Sequence, residues 1–116
     1  MDSRVKIKEL KGLVREFYLE RRWENIYTAK ELAAALSTET GELLNLFLWK
    51  DDLQVEKFLK SAKGRRWVGS ELADIFFFML VFSDKYGFDL TRELKAKIER
   101  NKKRFPIRIS GSKEKA

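Results

Sequence analysis

The stretch Glu71–Phe82 reads ELADIFFFMLVF, and from Ile75 onward it is apolar on every side of a helix. Such a run is too short to cross a membrane, so in a small protein other elements have to cover it. Glu71 and Asp74 stand directly before the run, three residues apart, which places them on one helical face. We therefore expect a central helix of an all-α bundle, and a second copy of the chain covering part of it.

Working backwards from this helix, the chain shows no strand-like alternation, and two further helices are expected. The first runs from about residue 3 to residue 22, with Asp2 or Ser3 as its N-cap. The second starts at a capping box formed by Thr28 and Glu31 and continues to about Trp49.

The central helix itself is expected from about Arg66 to Tyr86, with Gly87 ending it in a left-handed conformation. A short helix at Asp52–Leu59 and a loop at Ser61–Gly64 precede it. Asp89 caps a last helix that runs to about residue 103, where a Phe-Pro pair stops it. The pattern predicts a four-helix bundle in one domain, residues 1–107, followed by a basic, flexible tail, residues 108–116.

The composition excludes several classes of chemistry. The 116 residues contain no cysteine and no histidine, which rules out disulfides, thiolate or imidazole metal sites, and Ser-His or Cys-His catalysis. Any metal would have to be held by oxygen, which favours Mg²⁺, with Mn²⁺ as a substitute. No signal peptide or membrane span is evident, so a cytoplasmic location is the default expectation. The net charge of +7 is compatible with a solvated surface or with polyanionic ligands.

Two carboxylate pairs, Glu39-x-x-Glu42 and Glu71-x-x-Asp74, lie within or at the edge of the apolar faces of their helices rather than on the solvated faces. At about 100° per residue, Glu39 falls near the centre of the apolar stripe of the second helix, and Glu71 near that of the third. Four carboxylates aimed at one another would repel unless a cation neutralised them. The two pairs are therefore predicted to form a metal site, for which a phosphate-bearing substrate commonly completes the coordination.

Aromatic and basic residues supply candidate contacts to a nucleotide. Trp23 and Trp49 lie at the ends of the first two helices, where they could stack on a base or serve as core or interface residues. Lys97, Asn101 and Arg104 share one face of the last helix, which could bind phosphate or simply be solvated.

Taken together, these motifs resemble the MazG-like all-α NTP pyrophosphatases. The similarity is greatest to the dCTP pyrophosphatase branch, through Glu20–Trp23, Gly41–Leu43, Leu46–Lys50, Glu71–Asp74 and the spacing Lys97…Asn101…Arg104-Phe105-Pro106. The resemblance covers roughly residues 17–106.

The resemblance implies hydrolysis between the α- and β-phosphates of an NTP or dNTP. It implies Mg²⁺ held by the four carboxylates, with one glutamate, Glu39 in our expectation, orienting the attacking water. The substrate-binding residues it implies are Trp23, Trp49, Lys50, Phe78, Lys97, Asn101 and Arg104. It further implies a homodimer or homotetramer with sites at subunit contacts. No membrane partner is expected, and a nucleic-acid partner is not favoured.

Two positions depart from that branch: Val14 replaces a histidine and Phe78 a tyrosine. Both changes remove hydrogen-bonding capacity near the base or sugar, so dCTP and modified nucleotides both remain candidate substrates. Two other hypotheses also stay open. One is a basic helical nucleic-acid-binding protein without catalytic activity, and the other is a regulatory module with purely structural carboxylates.

Overall fold

The computed structural model describes residues 1–108, and within that range every regular element is a helix. The predicted all-α class is therefore confirmed, including the short helix before the central one. The five helices are α1 (Ile7–Glu20), α2 (Ala29–Asn45), α3 (Asp52–Lys60), α4 (Ala62–Tyr86) and α5 (Leu90–Arg104).

Helix α4 is the centre of the bundle, and α1, α2 and α3 each pack against it. The buried apolar core is small and joins three helices: Val14 and Tyr18 from α1, Leu32 from α2, and Leu80 and Val81 from α4. Helix α5 buries none of its residues completely, although its first residue packs against the core. The half of α4 that precedes the core carries the predicted carboxylates.

Three predicted helix boundaries are confirmed by their hydrogen bonds and dihedral angles. The Thr28 hydroxyl accepts from the amide of Glu31 at 3.3 Å and starts α2. The Asp89 carboxylate accepts from the amide of Arg92 at 2.9 Å and starts α5. Gly87 ends α4 with a φ of +74°. This left-handed conformation causes glycine little strain because glycine has no Cβ.

The predicted start of α1 is wrong. Asp2 and Ser3 do not cap it, and the N-cap is Lys6, whose side chain makes no capping bond. The residues before it form a separate turn in which the amides of Arg4 and Val5 donate to the carbonyl of Met1. The helix begins at Ile7, which packs against the core, so tertiary contact rather than a capping side chain sets this boundary.

Two other boundaries differ from the prediction. Helix α2 ends at Asn45 rather than near Trp49, because tighter turns follow and Trp49 adopts a φ of +66°. The loop expected at Ser61–Gly64 is reduced to Ser61 alone. The Ser61 hydroxyl accepts from the amide of Gly64 at 2.9 Å, so α4 starts at once and is longer than predicted.

One face of α4 is apolar and is left uncovered by the rest of residues 1–108. Leu72, Phe76 and Met79 are 52%, 37% and 41% exposed. In the described residues 1–108, no helix combines the length and apolar character needed to cross a membrane. The predicted flexible tail lies, apart from its first residue, outside the described residues.

Candidate functional site

Three carboxylates from two helices converge where α2 faces α4. Glu39 comes from α2, and Glu71 and Asp74 come from α4. One oxygen from each lies within 4.8 Å of the others, a spacing at which one cation could bind all three. Glu39 and Glu71 are half-buried, whereas Asp74 is exposed. The helical phase that predicted inward-facing glutamates on both helices therefore agrees with this geometry.

The carboxylates of the cluster repel one another. Burial raises the pKa of Glu39, and the neighbouring carboxylates of Asp74 and Glu71 raise that pKa further. The Oε2 atom of Glu71 is buried and accepts no hydrogen bond from the described part of the chain. A buried, unpaired carboxylate oxygen is costly unless a cation or a proton satisfies it. The donor set consists only of oxygen, and it suits a hard divalent cation.

Glu42, the fourth predicted ligand, lies outside this group of three. It is exposed on α2, one turn after Glu39, and its negative charge also contributes to the raised pKa of Glu39. It is therefore near the cluster without being part of its closest set of oxygens.

An aromatic pocket of about 490 Å³ opens beside the carboxylates, and Glu39 and Asp74 form part of its wall. This volume lies within the usual range for small-ligand sites. The remaining lining residues come from α1, the segment that follows it, and α4: Leu13, Val14, Phe17, Trp23, Tyr27, Phe77 and Phe78. The pocket thus combines a mostly apolar wall with charged groups at one side.

Two of the predicted substrate residues, Trp23 and Phe78, line this pocket. The Trp23 ring packs edge-to-face against Phe17 and Tyr27, with centroids 5.7 and 5.9 Å apart. Tyr27 in turn contacts the ring of Phe78, with centroids 6.1 Å apart. The rings form a continuous edge-to-face cluster that makes up much of the pocket wall.

Trp49 and Lys50 lie outside the pocket of their own chain. Trp49 is 97% exposed, in the left-handed conformation that ends the turn after α2. The Lys50 ammonium donates to the carbonyl of Leu46 at 2.8 Å and lies 4.9 Å from the centroid of the Phe58 ring.

The predicted phosphate-binding face of α5 is likewise outside the pocket. Lys97 and Arg104 are exposed and Asn101 is half-buried, and none of the three is among the residues that line the pocket. Within one chain, therefore, the structure brings together Glu39, Glu71, Asp74, Trp23 and Phe78, but not the α5 residues.

Sequence reasoning missed four pocket residues, which are Leu13 and Phe17 on α1, Tyr27 in the segment after it, and Phe77 on α4. Phe77 lies inside the uniformly apolar run of α4, where no periodicity marks one side as special. Tyr27 lies in an irregular segment, where spacing carries no information on direction. The only available signal was its position directly before the Thr28 cap, where a residue often packs against the start of the helix.

Comparison with known proteins places this geometry in a family. Residues 34–116 match the model of the MazG-like family. dCTP pyrophosphatase 1 of Rattus norvegicus is 31% identical over 104 residues, which cover 90% of this chain and 61% of the relative. The Bos taurus protein of the same name is 31% identical over 108 residues, covering 93% and 64%. The chain therefore spans less than two thirds of the length of these relatives.

A solved structure extends the likeness over a whole fold. A pyrophosphatase from Archaeoglobus fulgidus DSM 4304 is 32% identical and superimposes with a TM-score of 0.80, covering 86% of this chain and 92% of its own. The family match includes both carboxylate pairs and extends over well more than half of the sequence. On this agreement of sequence and fold, the chain belongs to the MazG-like family.

Proposed function

We propose that this chain is a Mg²⁺-dependent nucleoside triphosphate pyrophosphohydrolase, which cleaves an NTP or dNTP to the monophosphate and pyrophosphate. The observation that carries the proposal is the convergence of Glu39, Glu71 and Asp74 at the edge of an aromatic pocket. Such a site offers a place for a charged triphosphate beside a place for a flat base. The names of the relatives, dCTP pyrophosphatase 1 and a pyrophosphatase, support the same reaction class.

The donor set supports a divalent cation held by Glu39, Glu71 and Asp74, with Glu42 as a further ligand. The unpaired Oε2 of Glu71 and the raised pKa of Glu39 are the features that a bound cation would relieve. When bound, Mg²⁺ supplies charge neutralisation for the triphosphate, and Mn²⁺ can substitute in such a site. Glu39 belongs to the carboxylate cluster and also lines the pocket, and it is our candidate for orienting the attacking water.

The pocket wall supports stacking as the main contact to the base. Trp23 and Phe78 present aromatic surface there, and stacking of a base on an aromatic ring contributes roughly 1–3 kcal/mol. Apart from the carboxylates of Glu39 and Asp74, the side chains lining the pocket offer two polar groups, the hydroxyl of Tyr27 and the indole N–H of Trp23. We therefore propose recognition by shape and stacking more than by base-edge hydrogen bonds, which leaves dCTP and modified nucleotides as candidate substrates.

The remaining predicted residues are proposed to act from a second copy of the chain. Lys97, Asn101 and Arg104 are outside the pocket of their own chain, and Trp49 is almost fully exposed. A homodimer or homotetramer formed through the apolar face of α4 would cover Leu72, Phe76 and Met79. It would also let α5 and the turn after α2 approach a neighbouring carboxylate cluster. A cytoplasmic location stays a prediction.

The test is pyrophosphate release from a panel of NTPs, dNTPs and base-modified nucleotides with Mg²⁺ or Mn²⁺. We expect monophosphate and pyrophosphate as products, abolished by EDTA and lost by at least 10²-fold in Glu71→Gln, because one ligand is removed. Glu56→Gln, an exposed change on α3, is the matched control and should retain activity.

Absence of turnover on every nucleotide by folded, metal-loaded protein would contradict the proposal. Salt-dependent binding of single- or double-stranded nucleic acid under the same conditions would then favour the nucleic-acid-binding alternative.

A further inference from the structure

Lys85, on the last turn of α4, contacts the segment that carries Trp23. Its side chain is half-buried, and its Nζ atom donates to two backbone carbonyls, those of Glu24 and Tyr27. Both acceptors belong to the irregular segment 21–28 between α1 and α2. Lys85 lies about two helical turns after Phe78. The same helix therefore carries a ring that lines the pocket and the lysine that contacts the segment 21–28.

The segment has other hydrogen bonds, but they are mainly local. The Trp23 amide donates to the carbonyl of Tyr18 at 2.9 Å, and the amides of Ile26 and Tyr27 donate to the carbonyl of Trp23 at 3.0 and 3.1 Å. These bonds define the turn without attaching it to α4. In the part of the chain that the structure describes, the hydrogen bonds between this segment and α4 are the two from Lys85.

Ring contacts transmit the position of this backbone to the pocket. Tyr27, whose carbonyl Lys85 holds, packs between Trp23 on one side and Phe77 and Phe78 on the other. The centroid separations are 5.9, 6.4 and 6.1 Å, all in edge-to-face geometry. Burial raises the pKa of the Tyr27 hydroxyl, as expected for a ring enclosed on several sides. A shift of the Tyr27 backbone would therefore displace Trp23 as well.

An ammonium group suits this task because two carbonyls converge on one point. Lysine offers three donors on a flexible stem, so one side chain can satisfy both acceptors. Without it, two partly buried carbonyls would lose their partners and the segment would have to move toward water.

We propose that Lys85 is a positioning residue, which holds Tyr27 and Trp23 in place and so keeps the aromatic pocket preorganised beside the carboxylates. This inference rests on the proposed function, because the pocket is taken to bind the base of the nucleotide. Preorganisation lowers the ordering cost of binding and leaves the reacting phosphates untouched. Loss of Lys85 should therefore act on binding rather than on the chemical step.

The kinetic test compares Lys85→Met, which keeps the apolar stem, with Lys85→Arg, which keeps donors. We expect Lys85→Met to raise KM roughly tenfold with kcat changed less than about twofold, and Lys85→Arg to recover most of the loss. Lys63→Met, which removes the same charge from the other end of α4, is the control and should leave both constants unchanged. A parallel fall in kcat and rise in KM, or no recovery by arginine, would overturn the positioning role.

A second readout does not depend on turnover. Amide hydrogen exchange should become faster at Trp23 and Tyr27 in Lys85→Met, with protection of the core amides of Leu80 and Val81 unchanged. Unchanged exchange at Trp23 and Tyr27 would overturn the proposal. If the wild-type protein released no pyrophosphate, the proposed function would fail, and exchange would still decide whether Lys85 orders this segment.

Discussion

At the scale of single residues, the carboxylates that are proposed to bind a cation also destabilise the fold when no cation is bound. Glu39, Glu71 and Asp74 approach within 4.8 Å, and the buried Oε2 of Glu71 has no partner in the described chain. Sites that bind charged ligands commonly reduce the stability of the empty fold, because the groups that attract the ligand repel one another. The cluster is therefore a place where a neutral substitution should help the metal-free protein and harm the loaded one.

We predict that Glu71→Gln raises the Tm of the protein in EDTA. The same substitution should abolish the increase in Tm that Mg²⁺ gives the wild-type protein. The side-chain amide of the introduced glutamine can donate to a neighbouring carboxylate, and the substitution removes one of the converging negative charges. A gain of about 1 kcal/mol would raise the Tm by roughly 4 °C for a domain of this size. Scanning calorimetry in EDTA and in Mg²⁺ measures both changes in Tm, with Glu56→Gln as the control. A lower Tm in EDTA would contradict the repulsion argument.

Asp84 joins the C-terminal end of α4 to α1, beyond the carboxylate cluster. Its side chain is 5% exposed and accepts from Arg15 Nε at 3.0 and 3.1 Å and from the hydroxyl of Tyr18 at 3.1 Å. The hydrogen bond from Arg15 lowers the pKa of Asp84 against the opposing effect of burial, and Tyr18 adds to the lowering. This carboxylate is thus stabilised in its charged form by the fold.

We predict that Asp84→Asn lowers the free energy of unfolding by roughly 1–3 kcal/mol at pH 7. Because the folded pKa is lowered, the contribution of Asp84 is fully present above the unfolded value of about 3.9 and is lost as pH falls through the folded value. The gap between wild type and variant, measured by urea unfolding, should therefore narrow below about pH 4. Glu99→Gln, at the exposed pair with Lys102, should change stability by less than about 0.5 kcal/mol. A gap independent of pH would show that the charge of Asp84 is not what stabilises the fold.

At the scale of elements, the junction of α3 and α4 is unusually tight. Ser61 ends one helix and caps the next, and Gly64 is buried in the first turn of α4. A Cβ at Gly64 would lie 1.7 Å from the carbonyl oxygen of Phe58 and 2.6 Å from its carbon. Both are backbone atoms, which cannot move aside without shifting the end of α3.

We predict that Gly64→Ala destabilises the protein by roughly 1–3 kcal/mol, the usual range for forced overpacking. Gly69→Ala, in the same helix, meets nothing within 4 Å and should instead stabilise by up to about 1 kcal/mol, through helix propensity. Chemical denaturation of the two variants gives the comparison. Equal effects of the same sign would mean that the junction relaxes freely.

Local signals predicted elements where the determinant was local. Thr28, Gly87 and Asp89 marked true boundaries, because a cap depends on residues within one turn. The start of α1 was missed because contact of Ile7 with the core sets it. The start of α4 was missed although its determinant, the Ser61 cap on the amide of Gly64, is local.

The same distinction applies to the candidate site. Helical phase predicted that Glu39 and Glu71 face inward, and both are half-buried in one cluster. Tyr27 and Lys85 escaped prediction because their roles depend on how an irregular segment folds back onto α4, which no periodicity encodes.

At the scale of the whole molecule, the described residues 1–108 leave apolar surface exposed on two helices. Leu72, Phe76 and Met79 form an exposed stripe on α4, and Leu94 and Ile98 are exposed on α5. We predict a dimer or tetramer by light scattering, and a monomer for Phe76→Glu, since a buried charge in such an interface is unfavourable. A monomeric wild type would contradict the proposed assembly.

If α5 of one subunit completes the site of another, two defective variants should rescue each other. Glu71→Gln lacks a carboxylate, and the double variant Lys97→Ala/Arg104→Ala lacks the α5 cations. In a co-expressed mixture, half of the dimers contain both chains, and one of their two sites combines intact carboxylates with intact cations. About a quarter of wild-type activity should therefore return, given a symmetric dimer. Co-expression of Glu71→Gln with Glu39→Gln is the control, because each of its sites lacks a carboxylate and none can recover. If the first mixture stays as inactive as the control, the cations act on their own chain and α5 must move to reach the pocket.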